Sequence, residues 1–318
     1  MFGSMKPPIS YYGGKQRMAS KITPLIPQHT VYVEPFCGGA TILFAKPWPD
    51  ASNNNHYREV INDTDGRLIN FWKQLRDSGD ELVRLIQSTP YSEQEHREAL
   101  CKGLDCDDPI EAARRYYVNI QHSFSHKLDG GWGRGVFSRN LSATWANKVA
   151  GLSEYIDRMA SIAISNTDAL NCVKQFDSPQ TFFYCDPPYH GTDCGSYKGY
   201  TVEDFRTLVE TLDACQGSFL LSNYDQPQVE IPANWERFEF SAHCSSDGKG
   251  KVGADRSRKL TATELGDRKR TEVVWRRFNR VPVRTEIQKL YDSGKFDCFV
   301  RNPSQCDHPK AASDEEFL

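Results

Sequence analysis

The residues from 181 to 191, TFFYCDPPYHG, carry an apolar run into an acid, two prolines and a tyrosine. Proline has no backbone N–H and a fixed φ, so Pro187 and Pro188 predict a rigid turn that presents carbonyl oxygens beside the Asp186 carboxylate. A nucleobase amino group has two N–H donors and a lone pair delocalised into the ring, and acceptors that bind both hydrogens free that lone pair. Tyr189 offers a face on which a planar base can stack. The pattern predicts a site for a nucleobase amine; the alternative is a strand-terminal aspartate before an ordinary turn.

Short apolar, β-branched or aromatic runs predict the strands that must position this turn. They lie at residues 31–36, 59–63, 161–165, 181–186, 218–223, 237–242 and 271–278. Helical patterns lie at 15–26, before the first strand, at 41–45, directly after it, and at 201–215, between the fourth and fifth strands. This alternation predicts an α/β fold, Rossmann-like, with an open and largely parallel sheet covered by helices on both faces.

The residues that follow the first three strands predict a ligand site, because open α/β sheets bind ligands outside the carboxyl ends of their strands. In EPFCGGAT, Gly38 and Gly39 let the backbone approach a ligand, and their spacing, which is not GxGxxG, suits a nucleoside carrying an amino acid instead of phosphates. Asp63 lies where Rossmann-like folds bind ribose hydroxyls, or it caps the next helix. Asp168 could accept a hydrogen bond from an adenine edge, or it too is a helix cap.

The segment 66–158 interrupts the alternation, since it has helical periodicity, at 68–87, 109–126 and 152–161, and no convincing strand. We interpret it as a helical subdomain inserted into a catalytic, cofactor-binding domain made of residues 5–65 and 159–300. The last residues, 301–318, have few apolar side chains and end acidic, which is typical of a disordered tail.

Charge is distributed unevenly along the 318 residues. The whole chain has a formal net charge of −3, but residues 247–280 contain eleven Lys or Arg against five Asp or Glu, a net charge of +6. The rest of the chain therefore carries −9. A basic segment with Arg256, Arg258 and Lys259 could bind a phosphate backbone, or it could be an ordinary solvated loop.

Composition predicts a soluble, cytoplasmic protein. No apolar run approaches the roughly 18 residues of a membrane span, and the first residues, MFGSM, do not resemble a signal peptide. The ten cysteines form no CxxC pair and no His/Cys spacing of the zinc kind, so we expect reduced thiols and no metal.

The chain resembles the Dam-type DNA adenine methyltransferases, the DPPY alpha group, in six motifs and in their order. These motifs are YYGGK, EPFCGGAT, INDTD, TFFYCDPPY, LLSNYD and RTEVVWRRF. The resemblance implies S-adenosylmethionine as the cofactor and the inserted helical segment as the target-recognition part. It implies methyl transfer to the amino nitrogen of an adenine flipped out of DNA, with Asp186 as the catalytic acid in a DPPY motif that also includes Pro187, Pro188 and Tyr189. The resemblance also implies a set of cofactor-binding residues: Tyr11, Lys15, Glu34, Pro35, Phe36, Gly38, Gly39, Asp63, Asp168 and Asp186.

Two departures from the family pattern limit what the resemblance implies. Position 11 is Tyr where the family usually has Trp, and RYYVNIQHSFSHKLDGGWGRGVF keeps only an outline of the signature of the GATC-specific enzymes. We expect Lys127 and Arg134 of this stretch to bind DNA together with Arg256, Arg258 and Lys259. Alternatives are an RNA or cytosine substrate, or a catalytically silent DNA-binding partner in a restriction system. A restriction endonuclease is a possible partner, and we expect a monomer or a weak dimer.

Overall fold

The apolar runs of the sequence form the strands of one mixed sheet. A computed structural model describes residues 5–47, 57–102, 106–135, 140–189, 199–243 and 269–278. The strands are β1 (Val31–Glu34), β2 (Arg58–Asn62), β3 (Ile162–Ser165), β4 (Thr181–Cys185), β5 (Ser218–Tyr224), β6 (Glu236–His243) and β7 (Lys269–Arg277). Their order in the sheet is β3-β2-β1-β4-β5-β7-β6. The first five are parallel, and β7 pairs antiparallel with both β5 and β6. The α/β, Rossmann-like sheet predicted from the sequence is confirmed.

Helices connect these strands and cover both faces of the sheet. They are α1 (Ala19–Ile22), α2 (Thr41–Ala45), α3 (Gly66–Asp77), α4 (Gly79–Gln87), α5 (Glu93–Lys102), α6 (Pro109–His122), α7 (Leu141–Ala150), α8 (Glu154–Met159), α9 (Ala169–Phe176) and α10 (Val202–Ala214). The helix predicted for 15–26 is shorter than expected, because only α1 and a 3-10 turn, Thr23–Leu25, form there. None of the helices in the described ranges is both long and apolar enough to cross a membrane.

Alternate side chains of the strands belong to two cores, one on each face of the sheet. On β4, Phe182 and Tyr184 pack into the first core, whereas Phe183 and Cys185 pack into the second. Every residue of β4 is buried, as the continuous apolar run predicts for a strand covered on both faces. Helices α9 and α10 contribute to the second core and the helices from α1 to α8 mainly to the first. The strand that precedes Asp186 therefore lies in the centre of the fold.

The segment between β2 and β3 contains the helices from α3 to α8. The sequence pattern had indicated α3, α4, α6 and α8, but it did not separate α5 and α7 from loops. Their ends follow local sequence: Asp65 caps α3, Asp108 caps α6 ahead of a proline at the first helical position, and Asn140 caps α7. Trp72 and Tyr117 of this segment are fully buried in the first core. That the segment is a separate target-recognition domain stays a prediction.

Asn62 connects the carboxyl ends of the first three strands. Its side-chain amide donates to the carbonyl oxygens of Pro35 (2.9 Å) and Thr167 (3.0 Å), and its oxygen accepts from the Thr167 N–H (3.0 Å). Asn62 is fully buried, so water cannot replace these partners. The loops that follow β1, β2 and β3 are thereby joined at one edge of the sheet, next to the end of β4.

Candidate active site

Asp186 follows the last residue of β4 at the carboxyl edge of the sheet. Its carboxylate Oδ1 lies 2.8 Å from Lys15 Nζ, and only 18% of the Asp186 side chain is exposed. Burial raises the pKa of Asp186, and the nearby charge of Lys15 opposes this shift without cancelling it. Pro187 is buried and Pro188 half-buried directly after it. The predicted acceptor turn therefore has a carboxylate in a largely dry position with one cationic neighbour.

Lys15 brings the N-terminal YYGGK stretch to this carboxylate. Its ammonium lies 2.8 Å from Asp186 and 3.5 Å from Glu272 Oε1, and it donates to the Gly13 carbonyl at 3.4 Å. Burial by itself lowers the pKa of Lys15, but the charges of Asp186 and Glu272 outweigh burial, so the pKa is raised. Lys15 is therefore protonated at neutral pH, and its positive charge stabilises the two acids.

Tyr189 points its hydroxyl into the same cluster. Its single O–H lies within hydrogen-bond distance of Asp186 Oδ1 (3.1 Å) and of Glu272 Oε1 and can donate to either, and the hydroxyl oxygen lies 3.2 Å from Ser222 Oγ. The ring packs edge-on against Tyr224, with centroids 4.6 Å apart, and Lys15 Nζ lies 4.5 Å from its centre. The tyrosine is therefore fixed at its hydroxyl end, and stacking of its ring on a base stays a prediction.

The glycine-rich loop after β1 lies against Tyr11. Gly38 has a φ of +45°, and a Cβ there would lie 3.2 Å from the Tyr11 ring. A Cβ on Gly39 would lie 3.0 Å from the Tyr11 Cβ, so both positions need glycine for close approach. The Gly38 N–H donates to Asp63 Oδ2 at 3.1 Å. Tyr11, the glycines and Asp63, predicted separately as cofactor-binding residues, form one continuous wall.

Asp63 is not a helix cap, which was the alternative interpretation of this residue. Asp65 caps α3 by accepting from the Arg67 N–H, whereas Asp63 accepts from the Asp65 N–H at 3.0 Å. Asp63 is almost fully buried between these backbone groups and the Gly38 N–H. Its carboxylate therefore orders the loops after β1 and β2, and a contact with a ribose stays a prediction.

The remaining predicted cofactor residues lie in different environments. Glu34 is buried and accepts from the Leu43 N–H and the Tyr32 hydroxyl, both at 2.7 Å, so it connects β1 to α2. The Pro35 carbonyl is bound by Asn62, and the half-buried Phe36 ring meets Tyr200 edge-on. Asp168 is exposed and caps α9 by accepting from two backbone N–H groups. Its capping role is thus observed, and its predicted contact with adenine remains untested.

The loop after α6 presents the residues that were predicted to bind DNA. Lys127 is half-buried and Arg134 is exposed, whereas Arg256, Arg258 and Lys259 lie outside the described residues, as does the predicted tail at 301–318. A backbone bridge between Ser123 and Trp132 closes the loop, and the Phe124 N–H donates to the Gly131 carbonyl at 2.7 Å. These bonds give the loop a defined shape.

Sequence reasoning missed three residues of these regions. Among the described residues, Phe124, on the loop after α6, is the most exposed large apolar residue, with 74% of its surface accessible to solvent. Glu272 and Ser222 complete the cluster around Asp186, since Ser222 Oγ donates to Glu272 Oε1 at 2.6 Å. An acid inside the apolar run TEVVWRRF was the signal that could have identified Glu272. Among the described residues, no group of three or more His, Cys, Asp or Glu side chains is arranged to hold a metal ion.

Two curated proteins and one solved structure that are similar to this chain are named as methyltransferases or methylases. The rRNA methyltransferase aviRa from Streptomyces viridochromogenes has 12% identity and a TM-score of 0.34 over 82% of this chain and 84% of that one. Type II methyltransferase M1.LlaDCHI of Lactococcus lactis subsp. cremoris is 24% identical over 71% of this chain and 84% of its own length. Modification methylase StsI of Streptococcus sanguinis is 25% identical over 61% of this chain, which spans only 30% of that protein.

The family comparison covers the strands from β1 to β5 and most of β6, the glycine loop and the DPPY turn. The model of the D12 class of N6 adenine-specific DNA methyltransferases matches residues 11–241, well over half of the chain. This range begins at Tyr11 and includes Lys15, Asp63 and Asp186. The resemblance found in the sequence motifs is therefore confirmed. The chain belongs to the D12 class of N6 adenine-specific DNA methyltransferases and is a site-specific DNA methyltransferase that acts on adenine.

Proposed function

We propose that this enzyme takes its methyl group from S-adenosylmethionine and that the acceptor nitrogen, in a flipped-out adenine, is bound by Asp186. The observation that carries the proposal is the position of Asp186: a largely buried carboxylate at the carboxyl end of the central strand, 2.8 Å from Lys15. S-adenosylmethionine, when bound, supplies a methyl group on a positively charged sulfur.

The wall formed by Tyr11, Gly38, Gly39 and Asp63 fits this cofactor. Two glycines that lack Cβ atoms allow the backbone to approach a nucleoside, and a buried carboxylate at the end of β2 suits ribose hydroxyls. Lys15 lies between this wall and Asp186 and contributes the cationic charge of the site. We assign Glu34, Pro35 and Phe36 to the support of this loop and Asp168 to the adenine end.

Asp186 and the Pro187–Pro188 turn bind the amino group of the target adenine. A carboxylate and a neighbouring carbonyl can accept both N–H hydrogens, which draws the nitrogen lone pair out of conjugation with the ring. Holding the nitrogen in line with the methyl group supplies much of the acceleration. Since an adenine inside a duplex cannot reach a carboxylate at the end of a buried strand, the base must leave the stack, and Tyr189 is the residue on which it packs.

The loop after α6 and the basic segment form the proposed DNA interface. Phe124 is exposed on a loop closed by backbone hydrogen bonds, so its ring can contact bases without first ordering the chain. Arg134 and Lys127 lie on the same loop. Arg256, Arg258 and Lys259 supply charge for the phosphate backbone. We assign base reading to the loop and backbone binding to the basic segment.

Transfer of a labelled methyl group tests the proposal. Wild-type enzyme with labelled S-adenosylmethionine should label duplex DNA and leave matched RNA unlabelled. Asp186→Ala should lower the rate about a hundredfold or more, because a polar group that acts on the reacting atom is lost. Asp157→Ala, which removes an exposed acid on α8, serves as the matched control and should keep the wild-type rate. More than a tenth of the wild-type rate in Asp186→Ala would contradict the role given to this residue.

The names of the relatives support a role in a restriction–modification system, with an endonuclease as the partner. We expect the enzyme to act as a monomer or weak dimer in the cytoplasm of a bacterium or during phage infection. Light scattering of the purified chain at several concentrations measures its oligomeric state. Sequencing of methylated adenines in exposed DNA gives the recognition sequence and can be compared with the cleavage site of any endonuclease encoded nearby.

A further inference from the structure

Glu272 is a buried acid on β7, directly before the buried apolar residues of that strand. It lies on β7 opposite Tyr224 of β5 and Phe240 of β6, it is followed by Val273 and Val274, and only 4% of it is exposed. Burying a carboxylate destabilises a protein unless donors and charges compensate for the lost water. The partners of Glu272 should therefore explain why an acid occupies this position.

The partners of Glu272 are those of Asp186. Lys15 Nζ lies 2.8 Å from Asp186 and 3.5 Å from Glu272, and the single O–H of Tyr189 lies within hydrogen-bond distance of both acids and can donate to either. Ser222, which donates to Glu272 at 2.6 Å, adds a partner that Glu272 does not share with Asp186. The two carboxylates thus share one ammonium and one hydroxyl, and with the single lysine they leave one negative charge in excess.

Sharing of donors matters because Asp186 must also accept an amino group. Lys15 and Tyr189 both bind Asp186 through the same oxygen, Oδ1, and the adenine amine needs strong acceptor capacity on that carboxylate. If Asp186 were the only acid present, releasing Lys15 from it would leave a buried ammonium without a counter-charge, which is costly. With Glu272 at 3.5 Å, the ammonium can move toward a second carboxylate and remain paired.

We propose that Glu272 is a positioning residue that takes over Lys15 and the Tyr189 hydroxyl when Asp186 binds the amino group of adenine. This inference depends on the proposed role of Asp186 and adds a residue from β7 that the sequence motifs did not assign. Glu272 acts through Lys15 and Tyr189 and has no direct contact with the substrate. Its second effect is to fix the hydroxyl end of Tyr189, and with it the orientation of the ring.

Glu272→Gln is the direct test, because glutamine keeps the size and the acceptor oxygen but cannot carry the charge that holds Lys15. In single-turnover methyl transfer to duplex DNA we expect the rate to fall about tenfold to a hundredfold, with cofactor and DNA dissociation constants within about twofold of wild type. Glu236→Gln is the matched control, since this exposed glutamate on β6 pairs with Arg276 at the surface. It should leave the rate unchanged.

The pH dependence of the rate separates this role from a purely structural one. The charge of Glu272 helps to raise the pKa of Asp186, so removing it should move the acidic limb of the rate profile to lower pH. Tyr189→Phe removes a hydrogen bond that lowers the pKa of Asp186, so it should move the same limb to higher pH. Among the described residues, the other titratable groups that interact electrostatically with these two acids, Lys15, Tyr184, Cys185 and Glu34, are unchanged in both variants.

The possible outcomes are distinguishable. A wild-type rate and an unshifted acidic limb in Glu272→Gln, together with an inactive Asp186→Ala, would overturn this inference and leave the proposed function intact. An active Asp186→Ala would overturn both. If thermal melting shows that Glu272→Gln does not fold, Glu272→Asp replaces it, since it keeps the charge but withdraws the carboxylate from Lys15; a wild-type rate in that variant would also overturn the inference.

Discussion

At the scale of single residues, the surroundings of Asp186 come from three separate parts of the chain. Its position comes from β4, its cation from Lys15 near the N-terminus, its hydroxyl neighbour from Tyr189, and the second acid from Glu272. The sequence identifies the first three because they lie in short motifs. Glu272 is 86 residues from Asp186 along the chain, so only the pairing of β5 with β7 brings it there.

Glu34 is predicted to make stability depend on pH. Burial raises its pKa to about 8, so the native state keeps a proton on Glu34 that the unfolded chain, with an ordinary pKa near 4.5, has already lost. This contribution to stability is present in full below the unfolded pKa and is lost as the pH rises to about 8. Relative to Glu34→Gln, which cannot ionise, the wild-type free energy of unfolding should fall by on the order of 4 kcal/mol between about pH 5 and pH 9.

Urea unfolding of both proteins at the two pH values measures this effect. Glu210→Gln is the control, because this exposed glutamate on α10 should give a difference from wild type that does not change with pH. A pH-independent difference for Glu34→Gln would show that the acid is ionised in the folded protein.

Asp168 has an observed capping role and a predicted binding role, and two substitutions separate them. Serine caps a helix nearly as well as aspartate but is too short to reach a ligand, whereas alanine does neither. If Asp168 binds the adenine of the cofactor, Asp168→Ser should weaken cofactor binding about fivefold to tenfold, as the loss of one hydrogen bond predicts, with little change in melting temperature. Asp168→Ala should also destabilise the protein by about 1 kcal/mol.

Calorimetric titration with S-adenosylmethionine and thermal melting give the two readouts for Asp168. Equal cofactor affinity in wild type, Asp168→Ser and Asp168→Ala would mean that Asp168 caps α9 and does not bind the cofactor.

At the scale of elements, the sequence predicts the strands better than their arrangement. All seven apolar runs are strands, because alternation and burial act within each run. The position of β7 between β5 and β6 could not be predicted, since it depends on antiparallel pairing between segments far apart in the chain. Helices α5 and α7 were missed because their faces have few apolar residues: α7 buries only Trp145 and Val149. Asp63 was mistaken for a possible cap because Asp65, two residues later, has the same side chain.

The connection between the first three strand ends is predicted to depend on Asn62. Asn62→Ala leaves the Pro35 carbonyl and both backbone groups of Thr167 without their side-chain partner in a buried position. We expect the free energy of unfolding to fall by about 2–4 kcal/mol, since each unsatisfied buried group costs about 1–3 kcal/mol and the site can relax in part. Cofactor affinity should fall as well, because the glycine loop and the loop with Asp168 lose their connection.

Urea unfolding measures this loss, and Asn70→Ala provides the control. Asn70 donates to the Pro109 carbonyl on the surface, where water can replace it, so its removal should change stability by less than about 0.5 kcal/mol. Similar losses in the two variants would mean that burial of Asn62 contributes little.

At the scale of the whole molecule, the chain combines an overall acidic surface with one basic segment. Outside residues 247–280 the net charge is −9, which repels DNA at long range, whereas the segment itself carries +6. DNA should therefore approach in the orientation that brings the basic segment to its backbone.

Neutralising Arg256, Arg258 and Lys259 together tests whether the basic segment binds the DNA backbone while the loop after α6 reads the bases. If these side chains bind phosphates, the triple glutamine variant should bind all DNA sequences more weakly, and the log–log dependence of affinity on salt should flatten by about one unit for each lost contact. The methylated sequence should not change, because base reading is assigned to the loop with Phe124 and Arg134. Affinity titrations at several salt concentrations and sequencing of methylated adenines give the two readouts.

The control neutralises three exposed residues on other elements, Lys73, Arg84 and Lys174, and should leave the slope unchanged. An unchanged salt slope with a relaxed methylation motif in the test variant would mean that the basic segment reads bases and the loop after α6 binds the backbone.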